Sequence, residues 1–450
     1  MKLYPKYVGV YPGVKSKLCD KIIKNIQAGN PKAVIKQNTK SIPFPLPTGH
    51  TRGEKSKLYR ELCKDSLIIR NKQRDENYGN LCFVHVFVSV NTVVESLKII
   101  IGGENECPMN CNFCYLQGSF DQQPIPTVFA NFQDEGLLLR EIKISLMALR
   151  LYLHLNNVTV NIGRDGQNVV HKLSGLLNSV IGEVSAEESV KNIFTKHKEK
   201  FKKELKSSRL RLLKPFLENI DNFTFEDTSR KIQFNCGEIN DALCYDHLNE
   251  NGEFLINIFS HEVMKNDGAY LMFRTKSDNV DNLLKLNPND NVKVSLTITT
   301  DAFVQKVPTA SDRINAATKL IEKGYAVGFN FDPMILYPDT VKIYSRFLVE
   351  IHEKVDYASD KFQSITFGFL RFGVTNIKGN IKFKYPGLYG HFERNMIKEK
   401  GDEKYRYHRD KRIEIYKGMV AKTKELFGDN VKIKISTEDP DIWEDVGVGY

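Results

Sequence analysis

The chain has 450 residues, a formal charge of +10, 41% hydrophobic and 27% charged residues, enough apolar material for one large α/β domain with additions or about two to three ordinary ones. No uninterrupted apolar run approaches the ~20 residues of a membrane helix, and MKLYPKYVGVYPG lacks the basic-then-apolar order of a signal peptide. A soluble cytoplasmic protein without a membrane partner is expected. Of eight cysteines, five are scattered without paired spacing, which excludes a secreted disulfide framework. The positive balance suits a polyanionic partner, and equally a merely basic surface.

Residues 1–100 read as an N-terminal region, with Pro- and Thr-rich loops (SIPFPLPTGHTRGEKSKLY) and a β-rich stretch at LCFVHVFVSV. The strand-like LKIIIGG leads into the loop GGENECPMNCNFC. Further strand-like stretches follow at PTVFA, KIQFNCG, AYLMFRTK, VKVSLTIT, YAVGFNFDP and SITFGFLRF, separated by amphipathic segments such as SDRINAATKLIEKG and TVKIYSRFLVEIHEKV. In the first of these segments Ser311 or Asp312 is expected to cap the helix and Gly324 to stop it. Strands returning about every thirty residues predict an α/β fold with a barrel-type βα array over 101–146 and 228–372, its active site at the carboxyl ends of the strands. Residues 147–227 break the rhythm as a mostly helical, basic insertion. Lys191 to Ile220 holds ten Lys or Arg against three Glu, for which a solvated helix face is the plain reading. Residues 373–450 form a C-terminal extension.

Cys107, Cys111 and Cys114 stand in the pattern C-x3-C-x2-C. Three thiolates this close wrap one face of a metal cluster. A tetrahedral zinc site needs a fourth ligand, and no second pair follows. A four-iron cluster takes one ligand per iron, so three local cysteines leave one iron open for chemistry. C-x3-C-x2-C is the signature of radical S-adenosylmethionine (SAM) enzymes, in which that iron chelates the methionyl part of SAM. Downstream, FNCGEIND places Gly237 and Glu238 at the end of a strand-like stretch. A glycine there admits close backbone approach, and a carboxylate suits the methionyl ammonium.

CPMNCNFCYLQ followed by NFQDEGLLLREI resembles the cluster loop of the spore photoproduct lyase family. So do Asp241 with Asp246-His247-Leu248, FRTKSDNVDNLLKL, DRINAATKLIEKGYAVGFNFDP, YGHFERN and KYRYHRDKRIEIYKGM with IKISTEDPDIW. The resemblance implies a partial barrel of about six βα units, a 4Fe-4S cluster, SAM, an electron donor such as flavodoxin or ferredoxin, and a thymine dimer in DNA as substrate. It implies Cys107, Cys111 and Cys114 as cluster ligands, Lys276 near the SAM carboxylate, and Thr297 and Thr299 facing the cofactor. Tyr115 matches an aromatic that flanks the cluster and relays hydrogen. Phe113 departs from the family's tyrosine and cannot relay a hydrogen atom. Cys236 matches the donor that returns hydrogen to the product radical, although the segment after it is two residues longer than the family's, which makes Cys244 a competing donor. For either thiol the alternative is a small buried hydrophobe.

Bases reach such a barrel by leaving the stack, with cations holding the phosphates. Arg371 is the candidate for a lesion phosphate. Tyr389, His391, Phe392, Arg394, Tyr405, Arg406, Tyr407, Arg409 and Arg412 interleave aromatics with cations, as phosphate contact plus stacking requires. For residues 405–416 a helix with aromatics packed inward is an equal reading. The rivals to dimer reversal are radical modification of another thymine-like base or substrate, and a zinc-containing nucleic-acid-binding protein without catalysis.

Overall fold

The computed structural model describes residues 1–40, 62–73, 81–89, 96–105, 108–109, 125–159, 166–208, 213–223, 231–237, 240–301, 306–373, 386–398 and 404–449. The chain opens with β1 (Tyr7–Val10), α1 (Lys17–Gly29), β2 (Val34–Lys36), β3 (Ser66–Arg70), β4 (Val84–Ser89), β5 (Ser96–Ile101), β6 (Glu104–Asn105) and β7 (Thr127–Phe129). Five of these strands form one sheet in the order β2-β1-β3-β7-β6, parallel except for β6. The stretch PTVFA therefore belongs to this sheet and not to the βα array, because Thr127 to Phe129 pair with Ile68 to Arg70. All three residues are buried, and a short apolar run signals burial without naming its partner strand.

Four helices follow: α2 (Glu135–Thr159), α3 (Gly166–Val180), α4 (Val190–Ser207) and α5 (Lys214–Asn219). The expected boundary at residue 147 falls inside α2, which runs unbroken through it. The basic helix α4 turns Val190, Ile193, Phe194, Phe201 and Leu205 inward and is capped by Ser189, whose side chain accepts from Asn192 N. Lys143 on α2 is buried and donates to the carbonyls of Ser185, Ala186 and Glu188. Asp267 fastens this helical block to the next unit, its carboxylate accepting from Val190 N at 3.1 Å and its carbonyl from Arg150 Nη2 at 2.5 Å.

The βα array comprises β8 (Ile232–Cys236), α6 (Asp246–Asn249), α7 (Asn251–Phe259), α8 (Glu262–Asn266), β9 (Ala269–Thr275), α9 (Asp281–Lys285), β10 (Val292–Thr297), α10 (Ala310–Lys323), β11 (Ala326–Met334), α11 (Thr340–Lys354) and β12 (Phe362–Phe369). After it come β13 (Phe372–Gly373), α12 (Pro386–Asn395), β14 (Met396–Lys398), β15 (Lys404–Tyr407), α13 (Arg409–Phe427), β16 (Ile433–Ile435) and α14 (Pro440–Val446). The main sheet has eight strands in the order β16-β12-β11-β10-β9-β8-β5-β4, all parallel except β4 at one edge. Helix α10 starts two or three residues earlier than Ser311 or Asp312 would set it. Thr309 is the cap, in a capping box with Asp312, and Gly324 ends the helix at φ 106° as expected.

One face of the main sheet is apolar and covered by helices. Phe234 meets Phe259 of α7 edge-on at 5.2 Å, and Phe331 meets Tyr344 of α11 at 6.3 Å. Leu271, Phe273, Val294, Leu296, Val327, Phe329, Ile365 and Phe367 share this face and are all under 2% exposed. Each such burial contributes about 1.5–3 kcal/mol. The opposite, inner face is polar, and β9 alternates strictly between the two. Register places Gln233 beside Tyr270, and Arg274 beside Ser295; Thr297, Asn330, Thr366 and Lys434 lie in one row across four strands.

Candidate active site at the carboxyl ends of the sheet

Strand β8 ends at Cys236, and Gly237 follows with φ 105°. A Cβ added there would lie 2.1 Å from the carbonyl oxygen of Arg274. Only glycine fits this turn, which brings bare backbone to the edge of the inner face. Asp241 then ties the turn to β9. Its carboxylate accepts from Thr275 Oγ1 and Lys276 N, both at 2.6 Å, and from Cys244 N at 3.1 Å and Leu243 N at 3.2 Å. Burial raises the Asp241 carboxyl pKa, against the lowering effect of these hydrogen bonds. Lys276 follows the end of β9 and is half-buried.

At the end of β10 the buried guanidinium of Arg313, from α10, donates to the carbonyls of Thr297 and Thr299. Thr297 and Thr299 are 1% and 0% exposed. Thr299 Oγ1 donates to Pro333 O at 3.3 Å, which joins β10 to the end of β11. Next to Thr297 stands Asn330, 5% exposed, whose Oδ1 is buried and accepts no hydrogen bond among the described residues. An unsatisfied buried acceptor costs on the order of 1–3 kcal/mol, so a ligand N–H that reached it would recover that cost. Sequence reasoning missed both Arg313 and Asn330. The signal was present, since Asn330 is the polar residue between Phe329 and Phe331.

Arg371 follows β12 and forms a fork with Asp332, Nη1 to Oδ1 at 3.0 Å and Nη2 to Oδ2 at 3.1 Å. Gly368 makes room for the pair, because a Cβ there would sit 2.7 Å from Asp332 Cγ. Burial would raise the Asp332 carboxyl pKa, but the Arg371 guanidinium outweighs it and holds the group below the usual range. Arg371 is therefore held by a carboxylate instead of standing open for a phosphate.

The two candidate hydrogen donors are both buried. Cys236 alternates with Asn235 and falls on the side of Phe234, 5% exposed. Cys244 is 1% exposed and its Sγ donates to Asp241 O at 3.4 Å. By strand alternation Cys236 stands on the helix-covered side of β8, and Cys244 is buried in the turn that follows Asp241. Glu238, Cys107, Cys111, Cys114, Phe113 and Tyr115 lie outside the described residues. Among the described residues no three His, Cys, Asp or Glu side chains converge on a metal position, and no helix is long and apolar enough to cross a membrane.

Most of the C-terminal cations are internal. Arg406 is 8% exposed, donates to Thr437 O at 2.8 Å and faces Glu438 at 3.8 Å. Arg412 is 1% exposed and pairs with Glu438 at 3.2 Å. Arg409 is exposed but bridges Asp441 at 2.7 Å and Asp445 at 2.8 Å. Tyr407 is fully buried, Tyr389 donates to Glu393 Oε1 at 2.6 Å, and half-buried His391 lies 3.4 Å from Tyr407 Oη. The alternation in KYRYHRDKR is thus that of a strand and helix sealing a core, which corrects its reading as a DNA track. Arg394 alone of the basic candidates is exposed without an acidic partner among the described residues.

Residues 212–437 match the family model described as spore photoproduct lyase. The chain belongs to the spore photoproduct lyase family. A curated relative, the spore photoproduct lyase of Clostridium acetobutylicum, is 25% identical over 177 residues, or 38% of this chain and 49% of the relative. The chain thus spans about half the length of the curated relative it matches. A mutant spore photoproduct lyase with bound AdoMet and dinucleoside spore photoproduct aligns at TM-score 0.59 and 17% identity, covering 97% of this chain and 99% of that one. A spore photoproduct lyase complexed with dinucleoside spore photoproduct aligns over the same shares at TM-score 0.58 and 17% identity. These two likenesses extend the family fold over regions that the family model does not reach.

Proposed function

We propose that this chain is a radical SAM enzyme that reverses spore photoproduct, a thymine dimer, in DNA. Its family membership supports the reading, as do the AdoMet and dinucleoside spore photoproduct named for the solved structures that share its fold. The observation that carries it is the carboxyl edge of the main sheet. There Gly237, whose Cβ position is blocked, follows β8, Asp241 ties its turn to Lys276 after β9, and Thr297 stands beside the open Asn330 acceptor on β10 and β11. That cradle fits SAM: bare backbone for the methionyl part, an ammonium for its carboxylate, and an amide oxygen for an N–H donor. Cys107, Cys111 and Cys114 would hold the 4Fe-4S cluster, with Tyr115 and Glu238 beside the cofactor. When bound, cluster and SAM together supply a 5′-deoxyadenosyl radical that abstracts hydrogen from the joined thymines.

The chain's own residues position and shield. Asp241 fixes the Gly237 turn against Lys276, Arg313 fixes the row containing Thr297, and the Arg371–Asp332 fork closes the far side. An external one-electron donor such as flavodoxin or ferredoxin completes the system, and exposed Arg394 serves phosphate contact.

The test is anaerobic incubation of the reconstituted protein with SAM, reductant and DNA carrying spore photoproduct, measuring 5′-deoxyadenosine and digested nucleosides by mass spectrometry. Thymine released in step with 5′-deoxyadenosine supports the proposal, and Cys107→Ala, Cys111→Ala and Cys114→Ala should each abolish both products. Intact lesion beside a modified base would favour a second reading, in which the same cofactor alters another thymine-like base. The helix-side position of Cys236 on β8, together with Phe113, favours that reading. One zinc and no sulfide in the anaerobic protein would leave a nucleic-acid-binding protein without radical chemistry.

A further inference from the structure

Helix α4 turns one side to the core and the other to solvent, and the outer side is dominated by lysine. Lys191, Lys196, Lys200, Lys203 and Lys206 are exposed, while Lys198 and Lys202 are partly buried. From Lys196 onward the exposed lysines follow at one per turn, which sets successive side chains about 5–6 Å apart at Cβ. From Lys191 to Lys206 the row runs about 22 Å. A solvated helix face balances its charges, and this one does not. Its seven lysines meet two glutamates on the helix and two carboxylates from outside it. Glu188 lies 3.7 Å from Lys196, and Asp221 lies 2.8 Å from Lys202 and 3.7 Å from Lys198. Glu199 turns to Lys202 at 3.7 Å, and Ser207 Oγ reaches the Glu204 carboxylate at 3.5 Å. Among the described residues Lys191, Lys203 and Lys206 therefore have no carboxylate partner, and Lys200 donates only to the carbonyl of Val180, at 3.5 Å.

No apolar side chain stands on the outer side, since Val190, Ile193, Phe194, Phe201 and Leu205 all turn inward and are at most 4% exposed. A lasting protein interface needs apolar anchors for its dry core, and a membrane surface needs an apolar stripe to take up. The face offers neither. It offers a line of ammonium groups, and duplex DNA carries one negative charge per about 3.4 Å along each strand. We propose that the outer face of α4 binds the phosphate backbone of duplex DNA without regard to its sequence. Val190 N, at the start of α4, bonds to the carboxylate of Asp267, just before β9, so the face begins at the amino rim of the main sheet. The reaction edge lies at the other end of the strands. The phosphates held by α4 are therefore not those beside a base in the barrel mouth. The choice of DNA as the polyanion rests on the function proposed above.

The experiment titrates the full reconstituted chain, without SAM, into a fluorescein-labelled, undamaged DNA duplex and follows anisotropy over a salt series. Each lysine that meets a phosphate contributes about 0.9 to the slope of log affinity against log salt. The combined variant Lys191→Gln, Lys200→Gln, Lys203→Gln, Lys206→Gln should flatten that slope by about 3–4 and weaken binding about tenfold or more at low salt. The corresponding Lys→Arg set should keep both slope and affinity. Lys, Arg and Gln have similar helix propensities, so this rescue separates a phosphate contact from a structural role. Should the combined Gln variant fail to fold, Lys203→Gln alone should flatten the slope by about 1. An unchanged slope in the Gln variants overturns the proposal. So does a loss confined to phosphatidylserine vesicles or to flavodoxin, with duplex binding as in the wild type. Because the duplex is undamaged and no SAM is present, a failure of dimer reversal leaves the slope where it is, and an unchanged slope leaves dimer reversal untouched.

Discussion

Asp246 offers a test in which sign and size both follow from the geometry. It opens α6, is 1% exposed, and its Oδ1 accepts from Gly252 N at 2.6 Å, while Asn282 Nδ2 donates to its backbone carbonyl and its buried Oδ2 accepts no hydrogen bond among the described residues. Burial, with Glu250 and Glu253 adding to it, pushes the carboxyl up from 3.8 to about 6. A shift of about 2 units corresponds to about 3 kcal/mol. Since the folded value lies above the unfolded one, the folded state holds the proton more tightly. Stability from this group is full below about pH 4 and is lost as pH rises to about 6. Its neighbour His247 works in the opposite sense. Burial lowers the imidazole to about 4, so its contribution is full above about pH 6.5 and is lost on acidification. In the wild type the two trends offset each other.

Asp246→Asn keeps the acceptor for Gly252 and removes the charge. An amide N–H in the unpartnered Oδ2 position costs on the order of 1 kcal/mol. The variant should therefore be about 1–3 kcal/mol more stable than wild type at pH 7, equal or slightly weaker near pH 4, and more steeply weakened by acid between them. Urea unfolding across a pH series measures this. An Asn variant less stable at pH 7, or a difference that does not change with pH, would refute the reasoning.

Gly237→Ala forces a side chain into a left-handed backbone at about 1–2 kcal/mol and onto the Arg274 carbonyl 2.1 Å away; SAM affinity should fall at least tenfold, read by titrating the reduced cluster's EPR signal, and an unchanged affinity would separate this turn from the cofactor. Arg371→Gln leaves Asp332 half of a broken buried pair, for which about 3–5 kcal/mol of stability should go. Asp332→Asn in the same chain should restore part of it, and no recovery would dissolve the pairing argument. Cys236→Ala and Cys244→Ala should leave the ratio of repaired thymine to side products unchanged; accumulation of trapped product radical adducts in either would return that thiol to the donor role.

The βα array was legible because strand-like runs and capped amphipathic helices repeat, and β8 to β12 lie where KIQFNCG to SITFGFLRF predict. Gly324 was legible as a stop for the same local reason. What the pattern leaves open is partnership. Nothing in PTVFA distinguishes a strand of the N-terminal sheet from one of the array, since both bury it. Arg406 and Arg412 read as DNA contacts because Glu438, their counter-charge, lies well downstream in sequence. The strand-end position of Cys236 was visible, but its side of the sheet depends on which of two neighbours faces inward. Phe259, far along the chain, decides that.

Among the described residues strand β16 pairs only with β12, and its residues arrive after every other strand of the main sheet. The loop after it brings Ser436 to Arg371 at 3.5 Å and Glu438 to Tyr416 Oη at 3.0 Å, besides Arg412. During synthesis, then, buried Arg406 and Arg412 wait for Glu438 to neutralise them, whereas Arg371 has Asp332 already made. A ribosome-bound intermediate short of Ile433 would leave the β12 edge open and Arg406 and Arg412 without Glu438, so closure of this side of the main sheet is coupled to synthesis of β16 and the loop after it.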